Sequence, residues 1–253
     1  MRGLMMDFQL TVPMILRRAE SLFPDKEIIS RTPDRSIHRY TYKQFATRAR
    51  RLAAALQRMG IRKGDRVATL SWNHYQHLEA YFGIPGMGAV VHPLNLRLTP
   101  DDLAYIVNHA EDKVIIVDQV LLPLFEQFKP SVDVNAVIDI PQTPDPVPHP
   151  YLNYEEIIGA SDEREFRAFE ADEYAAAFMC YTSGTTGKPK GVLYSHRSIV
   201  LHAMAFLLSC CGLGITERDV VLPVVPMFHA SAWGLPYNCA FAGATQVFPG
   251  PYL

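Results

Sequence analysis

Apolar runs alternate with amphipathic stretches along the first 120 residues. Short apolar runs bounded by turn residues predict buried strands, whereas apolar positions recurring every three to four residues predict helices. Threonine and asparagine before the helical patterns are typical N-caps, and Gly60 is a typical helix end. The predicted strands are 66–70, 89–92 and 113–117, and the predicted helices are 12–23, 41–59, 73–87 and 99–110.

The order of these elements predicts the fold class. A strand, helix, strand rhythm is typical of an α/β protein with mostly parallel sheets flanked by helices. The rhythm stops at residues 141–150, where five prolines fall within ten positions. We therefore expect a first α/β region over 1–140, a proline-rich surface connection over 141–150, and a second α/β region over 151–253.

The second region resumes with predicted strands at 175–181 and 220–223. Between them, residues 198–216 contain no charged side chain over 19 positions, which is near the length of a membrane span. Polar residues and glycines interrupt this run, so we favour a buried helix of about 15 residues that is capped by Ser195 and ends at Gly212. A peripheral membrane contact stays open.

Two other helical stretches have simple interpretations. Residues 75–87 carry aromatic and apolar side chains at helical spacing, which predicts a core helix. The arginines at 48, 50, 51 and 58 lie on the helix 41–59 and are interpreted as a solvent-exposed face.

The polar stretch 181–191 carries the candidate chemistry. Its residues suited to an anion are Thr182, Ser183, Gly184, Thr185, Thr186, Gly187, Lys188 and Lys190. Glycine lets backbone N–H groups turn toward an anion, hydroxyls donate hydrogen bonds to phosphate oxygens, and lysines add positive charge. Neither the Walker A spacing nor the dinucleotide-binding glycine spacing fits. The alternatives are a polyphosphate site and an ordinary polar hairpin.

Composition narrows the class of protein. The 253 residues are 49% hydrophobic and 20% charged, with a net charge of −2, as expected for a soluble globular protein. Without a basic block, a nucleic-acid interface is not expected. Four cysteines without metal-ligand spacing suggest buried thiols in a reducing, cytoplasmic environment.

The order of residues around this loop resembles the AMP-forming acyl-CoA synthetases of the adenylate-forming superfamily. The resemblance runs from about residue 10 to the C-terminus and rests on the loop and on four further segments. Those segments are 71–73, 81–98, 226–236 and 243–251. Segments outside the loop resemble the medium- and long-chain fatty acyl branch. The resemblance implies ATP, Mg²⁺ and CoA as cofactors or substrates, together with a fatty acid.

The resemblance also implies roles for individual residues. The loop residues would hold the β- and γ-phosphates, with Lys190 as the family's loop lysine and Ser183, or else Thr182, as a metal oxygen. His229 would border the reacting carboxylate and the α-phosphate, and Trp233 would line or gate an acyl tunnel. The alternatives that do not depend on the resemblance are a buried core histidine for His229 and a packing role for Trp233.

Members of this family are substantially longer than this chain, so we expect an N-terminal portion of such an enzyme that is inactive alone. The resemblance implies that the family's adenine-binding segment, ribose-binding aspartate and C-terminal lid lysine lie beyond this sequence. Two alternatives remain: a non-catalytic phosphate-binding or self-associating module, and another adenylate-forming enzyme such as an aryl-CoA ligase or acyl-AMP ligase. Some relatives pair through the N-terminal region, so a homodimer stays open.

Overall fold

The structure is a computed structural model that describes residues 5–142, 149–170, 172–182, 187–208 and 212–252. The elements before residue 141 are α1 (Val12–Leu22), β1 (Glu27–Arg31), β2 (Ile37–Thr41), α2 (Tyr42–Arg58), β3 (Arg66–Leu70), α3 (Tyr75–Gly86), β4 (Val90–Pro93), α4 (Pro100–Ala110), β5 (Asp112–Asp118), α5 (Leu122–Phe128) and β6 (Ala136–Ile140). The later elements are β7 (Leu152–Asn153), α6 (Tyr154–Gly159), β8 (Ala176–Thr182), β9 (Lys190–Ser195), α7 (His196–Phe206), β10 (Val220–Val221), α8 (Leu235–Ala242) and β11 (Thr245–Phe248).

The strands form two sheets. The larger has the order β7-β6-β5-β3-β4-β8-β9, and the smaller has the order β10-β11-β1-β2. Every pairing is parallel except β8 with β9 and β1 with β2. The expected α/β architecture with mostly parallel sheets is confirmed.

Strands from both sides of residues 141–150 share both sheets. In the larger sheet β6 pairs with β7, which places Ile138 beside Leu152. In the smaller sheet β1 pairs with β11, which places Ile29 beside Val247. The boundary between two α/β regions at 141–150 stays a prediction. Such a boundary would divide the sequence but not the sheets, because each sheet contains strands from both sides of it.

Helices α2, α4 and α7 begin after the capping residues that the sequence predicts. The Thr41 side chain accepts a hydrogen bond from Gln44 N–H, and the Gln44 side chain accepts one from Thr41 N–H, so the two form a capping box. The Thr99 and Ser195 side chains cap α4 and α7 by accepting hydrogen bonds from the N–H groups of Asp102 and Ser198. These caps satisfy N–H groups that lack partners within the helix.

Helices α2 and α3 pack against each other within the main core cluster. All twelve residues of α3 are buried, in agreement with the predicted core helix. Gly83 of α3 lies so close to α2 that a Cβ atom added there would be 2.5 Å from the Ala49 carbonyl oxygen. The absence of a side chain at 83 therefore sets the distance between the two helices.

The arginines of α2 do not form a solvated face. The Arg48 guanidinium contacts Glu79 of α3 at 2.7 Å and Glu155 of α6 at 2.8 Å. Arg50 pairs with Glu20 of α1 and with Glu163. Burial opposes the charge of Arg48, but the surrounding carboxylates outweigh it and raise its pKa. These arginines join α2 to four other segments, because their acidic partners come from distant parts of the sequence.

The uncharged stretch folds differently from the expectation. Helix α7 has 11 residues and ends at Phe206, so the predicted length of about 15 residues is wrong. The N–H groups of Leu213 and Gly214 bond to the Phe206 carbonyl, which turns the chain back at the helix end. Ile199, Val200 and Ala203 are buried, whereas other apolar residues of α7 are exposed. Within the described residues, no helix is long and apolar enough to cross a membrane.

Candidate functional site

A cleft of about 500 Å³ opens between the β8–β9 hairpin and the segment that follows β10. Thr182, Gly187 and Pro189 line it on the hairpin side, and Phe228 and His229 line it on the other. The remaining lining residues are Asn95, Leu98, Asp102, Cys180, Tyr181, Tyr194 and Ala230. The predicted loop and the predicted histidine thus border one opening.

The predicted phosphate-binding residues divide into three groups. Thr182 and Gly187 line the cleft, and Gly187 has a φ of 150°, which other residues rarely adopt. Ser183 to Thr186, among them the metal oxygen expected of Ser183, lie outside the described residues. Lys188 and Lys190 are exposed and do not line the cleft.

The two lysines have different surroundings. The Lys188 ammonium lies 4.6 Å from the centre of the Tyr105 ring on α4, within the range of a cation–π interaction. Lys190 is at the first position of β9 and pairs across the hairpin with Thr182. Lys190 therefore lies opposite Thr182, the residue at which the loop begins.

Helix α4 supports the hairpin beside the cleft. The Tyr181 hydroxyl and His109 Nδ1 are hydrogen-bonded at 2.7 Å, and Tyr105 lies one turn before His109 on the same helix face. Burial, with the nearby charge of Asp112, raises the pKa of Tyr181 to about 12. Tyr181 and Lys188, on either side of the loop, therefore both contact α4.

The segment leading to His229 is fixed by Asn73. The fully buried Asn73 amide donates to the carbonyls of Pro223 and Val225 at 3.1 and 3.0 Å and accepts from Met227 N–H at 2.7 Å. Asn73 was predicted to begin a helix, but α3 begins at Tyr75. Its side chain instead ties the end of β3 to the approach to His229.

The residues after His229 form a left-handed turn. Ala230, Ser231, Ala232 and Trp233 have φ angles of 46°, 53°, 49° and 55°. Each such residue costs about 1–2 kcal/mol relative to a right-handed conformation. Because the turn has the opposite hand from an α-helix, the four-residue spacing of His229 and Trp233 does not place the two side chains on one helix face.

An apolar cavity of about 430 Å³ adjoins the cleft. It shares Tyr194 and Ala230 with the cleft, and Trp233 is in its wall with 59% of its surface exposed. The remaining lining residues are Phe178, Ser198, Ile199, His202, Phe206, Ser231, Gly234 and Tyr237. The cavity is lined mainly by apolar and aromatic side chains and lies next to a more polar cleft.

The described residues do not form a metal cage. Among them, no group of three or more histidine, cysteine, aspartate or glutamate side chains could hold a metal ion. Mg²⁺ prefers an octahedral shell of oxygens and commonly takes several from substrate phosphates and water. The protein groups described at the cleft thus do not fit a preformed Mg²⁺ site.

Sequence reasoning missed several residues of the site. Asn95 follows β4 and Asp102 lies in the first turn of α4, and both line the cleft. Because ligands of α/β proteins bind beyond the carboxyl ends of parallel strands, the position of Asn95 could have been inferred. Asn73 carried no such signal, because its partners are about 150 residues away.

Comparison with known proteins relates this geometry to a family. Over 252 residues the chain is 50% identical to a long-chain-fatty-acid–CoA ligase of Thermus thermophilus, covering 98% of this chain and 45% of the relative. It is 41% identical to a medium-chain-fatty-acid–CoA ligase of Ectopseudomonas oleovorans, covering 100% of this chain and 47% of the relative. The chain therefore spans about half the length of these curated relatives.

A solved structure is also similar to this chain over most of its length. The N-terminal domain of FACL13 from Mycobacterium tuberculosis superposes with a TM-score of 0.79 at 27% identity, covering 95% of this chain and 57% of that one. The sequence profile of the AMP-binding enzyme family matches residues 16–252. The cleft between the β8–β9 hairpin and His229 therefore belongs to a member of the AMP-binding enzyme family.

Proposed function

We propose that this chain forms one wall of the active site of an ATP-dependent ligase for medium- and long-chain fatty acids. A carboxylate oxygen attacks the α-phosphorus of ATP and the bond to the bridging oxygen breaks, giving acyl-AMP and pyrophosphate. The sulfur of CoA then attacks the acyl carbon and AMP leaves with the electron pair of the broken bond, while the thiol proton passes to solvent. The observation that carries the proposal is the cleft shared by Thr182, Gly187 and His229.

The hairpin side of the cleft binds the leaving polyphosphate in this proposal. The reaction brings a carboxylate against a triphosphate, so positive charge and aligned dipoles are needed where negative charge develops. Thr182, which has a hydroxyl, and Gly187, which has a backbone N–H, line this side and would serve as its donors. Lys190, opposite Thr182, adds a charge that reaches the phosphates from the hairpin edge.

His229 orients the reacting carboxylate in the proposal. Its side chain lies on the opposite wall from the hairpin and adjoins the opening of the apolar cavity through Ala230. An imidazole N–H there donates a hydrogen bond to the carboxylate or to an α-phosphate oxygen. The carboxylate is already ionised at neutral pH, so the step needs no general base.

The apolar cavity receives the acyl chain, with Trp233 in its wall. Its aromatic and aliphatic lining favours a hydrocarbon over a charged or sugar-like substituent. The curated relatives named above act on long- and medium-chain fatty acids, which supports the same substrate class. They also favour a ligase over a non-catalytic phosphate-binding or self-associating module and over an aryl-CoA or acyl-AMP ligase.

The proposal extends to cofactors and surroundings. Mg²⁺ would arrive with ATP, whose phosphate oxygens supply ligands that the described residues lack. We infer a cytoplasmic enzyme that encounters its fatty substrates at membrane surfaces and works as a homodimer. Sedimentation without vesicles tests whether the protein forms a dimer, and sedimentation with phospholipid vesicles tests whether it binds a membrane surface. A monomer that does not sediment with the vesicles would contradict both inferences.

The activity is tested in a fusion of this chain to the part of the Thermus thermophilus relative that follows the matched segment. ATP–pyrophosphate exchange dependent on a C12 fatty acid is measured. We expect Lys190→Ala to slow exchange by about 100-fold or more, because losing one group that stabilises charge in a transition state typically costs about 10²–10³ in rate. Lys43→Ala, on the exposed side of α2, is the matched control. Equal exchange rates for the two variants would refute the role of the loop.

A further inference from the structure

One stripe of helix α4 faces the hairpin that carries the loop. Asp102, Tyr105 and His109 are spaced by three and four positions, so their side chains lie along one side of the helix. Asp102 lines the cleft, and the other two contact residues on either side of the loop. Five further residues of α4 are buried. The helix is therefore a fixed support that presents this stripe to the hairpin.

His109 holds the limb of the hairpin that enters the loop. Its Nδ1 is hydrogen-bonded to the Tyr181 hydroxyl at 2.7 Å. The Tyr181 ring also crosses Gly191 on the neighbouring strand, where an added Cβ atom would lie 3.1 Å from the ring, and it lies 5.3 Å from the His92 ring. Tyr181 immediately precedes Thr182, so contacts on three sides set where the loop begins.

The buried pair of His92 and Asp112 stands beside the Tyr181 ring. Both residues have no more than 1% of their surface exposed, and His92 Nδ1 lies 3.0 and 2.8 Å from the two carboxylate oxygens of Asp112. In a close-packed interior a ring held in this way keeps its orientation. The Tyr181 ring therefore rests against a rigid surface.

Tyr105 holds the limb that leaves the loop. The Lys188 ammonium lies 4.6 Å from the centre of the half-buried Tyr105 ring, a distance at which an aromatic ring binds a cation. Pro189 follows Lys188, and a proline restricts both its own backbone and that of the residue before it. A side chain anchored at 188 therefore also fixes the backbone next to it. Gly187 and Pro189 line the cleft, whereas Lys188 does not.

We propose that Tyr105 and His109 are positioning residues for the phosphate loop, and that Lys188 anchors this loop to α4 and is not itself a phosphate ligand. The inference rests on the proposed function for the identity of what the loop binds. Fixing both limbs reduces the number of conformations that the loop loses when an anion binds. Donors that are held in place before binding stabilise a polyphosphate better than donors that must first be ordered.

The two lysines of the loop should therefore differ in their kinetic effect. Lys190, opposite Thr182, stabilises charge that develops in the transition state, so its loss lowers kcat. An anchor at Lys188 supports the bound ATP and the transition state equally. Its loss raises KM for ATP and leaves kcat unchanged.

The first test measures ATP–pyrophosphate exchange by the fusion described above over a range of ATP concentrations. Tyr105→Leu and Lys188→Ala should each raise KM for ATP about two- to fivefold, which is the strength of an exposed cation–π contact expressed as a ratio. The double variant should raise KM no further, because both changes break the same contact. Tyr105→Phe should keep the wild-type KM, since a phenyl ring also binds a cation.

Tyr174→Leu is the matched control. Tyr174 also lies beneath a cation, the Arg197 guanidinium at 5.9 Å, but it precedes the hairpin and does not line the cleft. Its loss should leave KM unchanged. A general loss of folded enzyme would lower kcat without changing KM, so it cannot imitate the expected result. The proposal is overturned if Lys188→Ala lowers kcat as Lys190→Ala does. It is also overturned if Tyr105→Leu gives the same KM as Tyr174→Leu.

The second test needs no activity and uses the 253-residue chain alone. Tyr105→Leu and His109→Leu should each speed amide hydrogen exchange at residues 187–191 by about two- to fivefold, because each removes one contact that holds the hairpin on α4. His109→Asn should restore the wild-type rate, since its amide stands where Nδ1 stood and can bond to the Tyr181 hydroxyl. Unchanged exchange in both leucine variants would overturn the proposal.

The two tests together separate this inference from the proposed function. Faster exchange of the amide hydrogens in the leucine variants, with no ATP–pyrophosphate exchange by the wild-type fusion, would support the positioning role and count against the ligase function. An active wild-type fusion whose KM for ATP does not respond to Tyr105→Leu would support the ligase function and overturn the positioning role.

Discussion

Asn73 gives the sharpest test of how the site is built. Asn73→Ala removes three hydrogen bonds, with lengths of 3.1, 3.0 and 2.7 Å. A buried hydrogen bond contributes about 1 kcal/mol net, and a donor or acceptor left buried without a partner costs about 1–3 kcal/mol. Val225 is half-buried, so water can replace the bond to its carbonyl. We therefore expect a loss of about 3 kcal/mol in the free energy of unfolding.

The measurement is urea unfolding of this chain, followed by circular dichroism, for the wild type and two variants. Asn108→Ala is the matched control, because Asn108 also bonds through both side-chain atoms but is exposed. It should cost less than about 1 kcal/mol, since water replaces its partners. If Asn73→Ala were no more destabilising than Asn108→Ala, the interpretation of Asn73 as the fixing point of the segment before His229 would be refuted.

Further expectations concern the core and its pH dependence. Gly83→Ala should destabilise the chain by about 1–3 kcal/mol, because the new methyl group meets the Ala49 carbonyl oxygen at 2.5 Å. Gly159→Ala, with nothing within 4 Å of the added carbon, should be neutral or stabilising, and equal costs in urea unfolding would contradict the packing argument. Burial, with a smaller effect of His74, lowers the pKa of His77 from 6.5 to about 4. As the pH falls, the His77 imidazole is protonated in the unfolded chain before it is protonated in the folded chain. The contribution of His77 to the free energy of unfolding is therefore complete above pH 6.5 and falls by about 3 kcal/mol as the pH drops toward 4. His77→Gln should lose that part of the pH dependence, and a variant with the wild-type slope between pH 7 and 5 would show that His77 does not cause it.

Elements specified by neighbouring residues were predictable from the sequence. β3 was expected at 66–70 and occupies Arg66–Leu70. α4 begins after Thr99 as predicted, because a capping hydroxyl, a proline and two acidic residues stand together at its start. Such signals act over a few residues, and long-range packing did not override them here.

Features that depend on distant partners were not predictable. The arginine face of α2 looked solvated because Glu79 and Glu155 lie about 30 and 107 residues away. The left-handed turn at 230–233 could not be predicted, because nothing in its sequence favours positive φ angles. In the site, the residue types of the loop were readable from the sequence, whereas the orientation of Lys188 toward Tyr105 depends on how α4 packs.

The ion pairs of α2 have a consequence for a nicked chain. Arg48 reaches Glu155, Arg50 reaches Glu163, and β6 pairs with β7, so contacts connect the segments on both sides of residues 143–148. A protease that cuts a single peptide bond there would give two fragments on a denaturing gel. The same sample should elute as one particle in native buffer, because these ion pairs and this strand pairing join residues outside 143–148.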